Sequence, residues 1–269
     1  MSVLPRLCRP APPLARRRQL CAGLALGLLG GMAAAQSSGT AALRVVSGDL
    51  PPFTIEGQPQ RPGLLVELVE ELLRRAERPA RVEFFPWARA IQTASQQSRV
   101  LILPLTRTPE REAQYQWLLK LYVQHFVFIN RAGQPPVQSV EQARGLRITV
   151  LRGSPNQAQL LRQGFEESRI HPASSVEDML RALERGHVDA IYGGDVINLD
   201  KVRSSGRDLA RFQVGMELDA GEIWLAAGSG IEPAERQRLQ QAQQSMLRDG
   251  TVERLFRAYG LRPREQDLR

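Results

Sequence analysis

The residues best suited to chemistry stand in one short stretch, Leu101–Trp117, LILPLTRTPEREAQYQW. An apolar run stops at Pro104, a cluster of Thr106, Arg107 and Thr108 follows, and Pro109 opens what reads as a helix with Arg111 in its first turn. Proline suits the first helical position and threonine suits the cap before it. Arginine does not suit that end. Unpaired N–H groups and aligned peptide dipoles make a helix start partially positive, and it favours anions by about 0.3–1 kcal/mol per group. Two readings follow. Arg111 is a solvated arginine whose cost Glu110 and Glu112 offset, or it is half of an anion trap, a guanidinium beside exposed N–H groups. The spacing alone leaves both open.

Other chemistries find less support. The histidines, His125, His171 and His187, are far apart and show no metal-binding spacing. No G-x-S-x-G, Walker A or G-x-G-x-x-G pattern occurs after the first 35 residues. Both cysteines, Cys8 and Cys21, fall within those residues, so the remainder has no thiol chemistry. Glu217 and Asp219 lie close in sequence, in a segment that reads as hinge or surface. No catalytic residue, metal or cofactor is assigned, and the chain is expected not to be an enzyme.

The first 35 residues read as a signal peptide. Arg16, Arg17 and Arg18 form a basic region, Leu20–Met32 an apolar one, and Ala33-Ala34-Ala35 a small-residue cleavage site before Gln36. The apolar run is too short for a stable membrane span. Cutting near Gln36 predicts an exported, periplasmic protein. It also changes the charge. The formal net charge is +8, but removing the five leader arginines from 36 basic residues leaves 31 against 28 acidic ones, or +3. No basic run interleaved with aromatics remains, so no nucleic-acid partner is expected.

The elements that must position Arg111 follow from periodicity. Short apolar runs alternate with helical patterns, which predicts an α/β protein. Strands are expected at 43–47, 81–85, 100–103, 122–129, 146–151, 188–192, 212–215 and 223–227. Helices are expected at 64–76, 87–95, from Pro109, from Gly153 to about 165, from Ser175 to Gly186, after Asp195, and at 233–248 and 251–259. The Pro/Gly-rich break at 130–136 divides the chain into two similar runs.

This order of motifs resembles the type II periplasmic binding proteins, in the branch of family 3 extracellular solute-binding proteins that includes the amino-acid binders. The resemblance rests on DLPPF after the first strand, the TRTPER segment, Leu151-Arg152-Gly153-Ser154, Gly186-His187-Val188-Asp189-Ala190 before a Gly-Gly-Asp turn, and Asp249-Gly250-Thr251 with Tyr259-Gly260 at the end. It implies a two-lobed α/β fold with two crossing strands and a ligand cleft between the lobes. The signal peptide would be 1–35, lobe 1 would begin as 36–126, lobe 2 would be 127–220, and 221–269 would return to lobe 1.

The resemblance also implies roles. Arg111 would grip a ligand carboxylate, Thr106 would add a hydroxyl, and Gly153 and Ser154 would offer N–H groups from lobe 2. Leu50 stands where an aromatic usually stacks, leaving Phe53 or Trp87 to substitute. Arg89 either adds positive charge at the cleft or is a solvated or paired arginine, and Asp49 either turns its loop through a backbone bond or contacts the ligand. Amino-acid binders hold the ammonium with a carboxylate where this chain has Gly194, and Asp195 follows one place on as either a helix cap or an ammonium ligand. Gly193 and Gly194 themselves read as glycines kept for backbone conformation. The implied function is capture of a small anionic metabolite, carboxylate-bearing and possibly an amino acid, by a monomer that delivers it to a membrane ABC transporter permease. Two alternatives share the scaffold: a periplasmic dehydratase, with Asp195, Asp49 or Glu56 as acid or base, and a ligand-sensing module for a membrane receptor.

Overall fold

The computed structural model describes residues 42–261. The signal peptide, its cleavage near Gln36 and both cysteines lie outside the described residues. Two β-α units begin the described chain. Strand β1 (Arg44–Ser47) leads to helix α1 (Leu64–Arg75), and β2 (Val82–Phe84) leads to α2 (Trp87–Gln96). Helix α1 buries Leu64, Leu65, Leu68, Val69, Leu72 and Leu73 at helical spacing and ends with Arg74 and Arg75, where basic residues complement the dipole.

Strand β3 (Val100–Thr106) is buried throughout and pairs in parallel with β1. It runs three residues beyond the expected end at Leu103. Pro104 has no N–H to give the ladder, and the pairing with the last long strand shifts register between Ile102 and Leu105 before resuming. A three-residue 3-10 turn, Pro109–Arg111, follows in place of the expected helix, and Thr108 makes no side-chain cap bond to it. One turn aligns too few peptides to build a dipole, so the helix-end half of the anion-trap reading does not hold.

The chain then crosses in β4 (Gln116–Arg131) to a second half. That half contains α3 (Val140–Arg144), β5 (Ile148–Leu151), α4 (Asn156–Arg162), β6 (Ile170–Ala173), α5 (Val176–Glu184), β7 (Ala190–Gly194) and α6 (Asp195–Ser204). Strand β6 and helix α3 carry too few apolar residues to show in the pattern. The chain returns in β8 (Phe212–Ala227) and ends in α7 (Pro233–Arg248) and α8 (Thr251–Ala258).

The strands form a single sheet in the order β2-β1-β3-β8-β4-β7-β5-β6. Strands β4 and β8 are each 16 residues, roughly 50 Å at strand rise, and pair antiparallel along their length. They take other partners only at opposite ends: β8 meets β3 through Ile223–Ala227, and β4 meets β7 through Phe126–Asn130. Midway they have only each other. There β8 reads Glu217-Leu218-Asp219-Ala220-Gly221-Glu222, largely exposed, which is why its apolar pattern breaks into two expected strands although the backbone forms one.

One core fills the first half, between β1–β3 and the helices α1, α2, α7 and α8. In the second half β4 separates two cores by strict alternation. Phe126 and Phe128 face one with Tyr192 and Phe165, and Val127 and Ile129 face the other with Met179 and Leu183. Burial on both faces explains the unbroken apolar run there. No described helix is long and apolar enough to cross a membrane.

Candidate functional site

A pocket lies where the two halves meet, at the carboxyl ends of β3, β5 and β7. The first half contributes Leu50, Trp87, Pro104, Thr106 and Arg111, and the second contributes Ser154, Asn156, Met179, Gly193, Gly194 and Asn198. Gln124, Phe126 and Ile223 enter from the crossing strands. The space through which the centre of a water can move is about 50 Å³, enough for a few waters or a small solute. Ligands of open α/β sheets sit beyond the carboxyl ends of strands for the same topological reason.

Arg111 reaches this pocket from the 3-10 turn. Its Nη1 donates to Thr106 O at 3.0 Å and its Nη2 donates across to Gly153 O at 2.6 Å, so the guanidinium ties the two halves together. No carboxylate pairs with it among the described residues. Burial lowers its pKa, while Tyr115 and Glu110 act in the opposite direction. The side chain is thus a largely desolvated cation with no ion-pair partner among the described residues, and up to three of its five N–H donors remain for another partner.

Four of the sequence candidates line the pocket: Arg111, Thr106, Trp87 and Ser154. Trp87 starts α2 and is nearly buried. Ser154 is not the N-cap of α4, a position held by Pro155. Its N–H already donates to Leu151 O at 3.0 Å and its hydroxyl donates to the same carbonyl at 2.7 Å, so both of its donors are spent, while the hydroxyl oxygen accepts from Asn156 N at 3.4 Å. Gly153 contributes its carbonyl to Arg111 rather than an N–H to the pocket. It adopts φ +82°, and its Cα lies so close to α2 that a Cβ would stand 3.2 Å from Ile91 Cδ1.

The remaining candidates lie outside the pocket. Phe53 is fully buried behind Leu50 and packs on the Tyr122 ring at 5.3 Å. Arg89 is exposed and lies over the Phe85 ring at 5.1 Å. Asp49 pairs with Lys201 at 3.0 Å, joining the halves, and accepts from Glu56 N at 3.2 Å. A second ion pair, Arg162 to Glu110 at 2.6 Å, joins them on another side. Asp195 is the first residue of α6, with Gly194 at the cap, and its carboxylate accepts from its own neighbour Val196 N at 2.7 Å. Desolvation raises its pKa, a trend that the Val196 N–H and His125 oppose. His125 Nδ1 lies 2.8 Å from Glu217 across the crossing strands, and Asp219 accepts from Gln159 at 2.7 Å.

Three amides were missing from the sequence candidates. Asn156 Nδ2 donates to Tyr192 O at 2.9 Å, and Asn198 Nδ2 donates to Gly194 O at 2.8 Å. The Oδ1 of each is buried without a partner among the described residues. Gln124 is 3% exposed and its amide makes no hydrogen bond among the described residues. All three surround Gly193 and Gly194. Those glycines are not kept for backbone conformation: Gly194 has φ −61°, ψ 128°, open to any residue, and Gly193 does not have positive φ. They are kept for room. A Cβ on Gly194 would lie 1.1 Å from Gln124 Nε2, and one on Gly193 would lie 2.8 Å from Asn198 Nδ2. One signal was available in the sequence, since Gln124 is a lone amide inside the apolar run Tyr122–Ile129.

Comparison with known proteins adds a family and a fold. Residues 43–262 match the family described as bacterial extracellular solute-binding proteins, family 3. No curated protein matches the sequence significantly. Among solved structures, the chain is similar to the arginine-, lysine-, histidine-binding protein ArtJ from Geobacillus stearothermophilus, with TM-score 0.74, 16% identity, and 84% and 99% of the two chains covered. It is also similar to a histidine kinase sensor domain, described as similar to periplasmic binding proteins, with TM-score 0.74, 18% identity and coverage of 82% and 98%. A third is the substrate-binding protein of an ABC uptake transporter from Streptococcus pneumoniae with bound histidine, at TM-score 0.71, 12% identity and coverage of 80% and 91%. At these identities the likeness is one of fold, the two-lobed periplasmic binding protein fold.

Proposed function

Because the chain belongs to the bacterial extracellular solute-binding proteins of family 3, we propose that it captures a small carboxylate-bearing solute between its lobes, without transforming it, and passes it to a membrane ABC-type transporter. The observation that carries this reading is Arg111, a desolvated guanidinium at the pocket with no paired carboxylate among the described residues. A carboxylate would supply the missing charge through one or two charge-assisted hydrogen bonds. Thr106 and Trp87 would flank it. Asp49 and Glu110, with their partners on the other lobe, would act on closure rather than on the ligand.

In this reading the first 35 residues export the protein to the periplasm. Lobe 1 comprises 36–126 and 221–269, lobe 2 comprises 127–220, and the protein works as a monomer. The dehydratase alternative is weaker, since Asp49 is engaged with Lys201 and neither Asp195 nor Glu56 lines the pocket.

Calorimetric titration tests the proposal. Short-chain carboxylic acids bind the protein, their methyl esters do not, and Arg111→Met removes the difference. Equal binding of acid and ester refutes the carboxylate reading.

A further inference from the structure

The amide end of the pocket has a chemistry of its own. Backbone carbonyls only accept hydrogen bonds, so Asn156 must turn its nitrogen to Tyr192 O, and Asn198 its nitrogen to Gly194 O. The free end of each is therefore an oxygen, and both oxygens lack a donor. Gln124, nearly buried beside them, has both a donor and an acceptor unspent. Buried polar atoms are rarely left unpaired. Here three unspent amide ends belong to side chains that line the same pocket as Arg111.

Resting on the reading that Arg111 holds a carboxylate, we infer that the other end of the ligand is an uncharged hydrogen-bonding group, a hydroxyl or carboxamide in place of an ammonium, and that Gln124, Asn156 and Asn198 recognise it. Two observations decide against an ammonium. The first is charge: among the described residues, Arg111 is the one charged residue lining the pocket. A ligand of net charge −1 neutralises it, whereas a zwitterion leaves the site with an uncompensated, partly buried cation, which low-dielectric surroundings penalise. The second is space. A carboxylate side chain at Gly194, which lines the pocket, would need the volume that the Gln124 amide occupies. Gln124 thus replaces a charged acceptor with a neutral group that both donates and accepts, as a hydroxyl requires. Gln124 acts here as a specificity residue.

The test uses the 2-, 3- and 4-hydroxybutyrates, the corresponding aminobutyrates and butyrate, titrated calorimetrically into the whole mature protein. At least one hydroxybutyrate binds about tenfold or more tightly than both its amino counterpart and butyrate. Gln124→Leu, close in volume, abolishes the advantage of the hydroxy acid over butyrate. In the double variant Gln124→Ala, Gly194→Asp the preference moves to an aminobutyrate. An aminobutyrate that binds wild type as tightly as its hydroxy partner overturns the inference and leaves the carboxylate reading standing; this comparison needs no variant to fold. A hydroxyl preference that survives in Gln124→Leu overturns the role of Gln124. Binding of none of these acids, or binding that survives Arg111→Met, overturns the carboxylate reading and the inference with it.

Discussion

Replacing Arg111 with methionine removes the guanidinium while keeping most of the apolar stem. Two of its five donors are committed to the carbonyls of Thr106 and Gly153, so a carboxylate receives one or two charge-assisted bonds, each about 1.5–3 kcal/mol. Truncating one partner of a buried, hydrogen-bonded charge pair costs about 2–5 kcal/mol in binding. The expected loss is therefore about 3 kcal/mol or more, on the order of a hundredfold or greater in Kd. Arg111→Lys keeps the charge but not the planar fork, and falls between, about tenfold weaker than wild type. The fold loses two guanidinium hydrogen bonds to backbone carbonyls, about 1.5–3 kcal/mol each and partly offset by removal of a desolvated charge, so the folded protein survives and thermal unfolding falls by several degrees. Calorimetry with the tightest-binding acid, paired with scanning calorimetry of each variant, separates binding from stability. A folded Arg111→Met protein with wild-type affinity refutes the assignment of Arg111 as anchor.

Other expectations follow from the geometry. Gly194→Ala pushes its new methyl onto the Gln124 amide, which would lie 1.1 Å away; binding weakens, stability falls by about 1–3 kcal/mol, and Gln124→Ala on the same chain restores stability, as urea unfolding will read. Lys201→Met breaks the 3.0 Å pair with Asp49 that joins the lobes; affinity falls by up to about fivefold, the scale of an exposed ion pair, and titrations at low and high salt show a smaller salt dependence than in wild type. Acid stability depends on Glu71, whose pKa drops from 4.5 to about 2 chiefly because Arg74, and then Arg75, hydrogen-bond its carboxylate. A folded-state pKa below the unfolded one contributes stability that is complete above about pH 4.5 and is lost as pH falls towards about 2. Melting curves across that window therefore drop less steeply for Glu71→Gln than for wild type, and parallel curves would exclude this ion-pair cluster as a source of acid sensitivity.

Much of the fold was legible before the structure. Helix α1 could be read because Leu64, Leu65, Leu68, Val69, Leu72 and Leu73 repeat at 3.6-residue spacing, and the α/β class because apolar runs alternate with such patterns. The family motifs also pointed to Arg111 and Trp87, both of which the structure brings to one pocket. The misses have physical causes. The single turn at Pro109 carries good helix-start residues but no continuing apolar face, so nothing propagates it. Strand β8 continues through Asp219 and Gly221 because β4 pairs with it, a non-local partner that periodicity does not register. Phe53 was an aromatic in the right loop, yet it turns inward onto Tyr122.

By itself, the sequence determined the α/β class and a cation after the third strand, because periodicity and charge are local properties. Only the tertiary structure decided that Arg111 has no carboxylate partner among the described residues, that Asp195 does not line the pocket, and that Gln124, Asn156 and Asn198 gather round two glycines kept for space. Each of these depends on which atoms from distant segments share one small volume, and hydrogen-bond satisfaction and desolvation are set by that volume rather than by the order of residues along the chain.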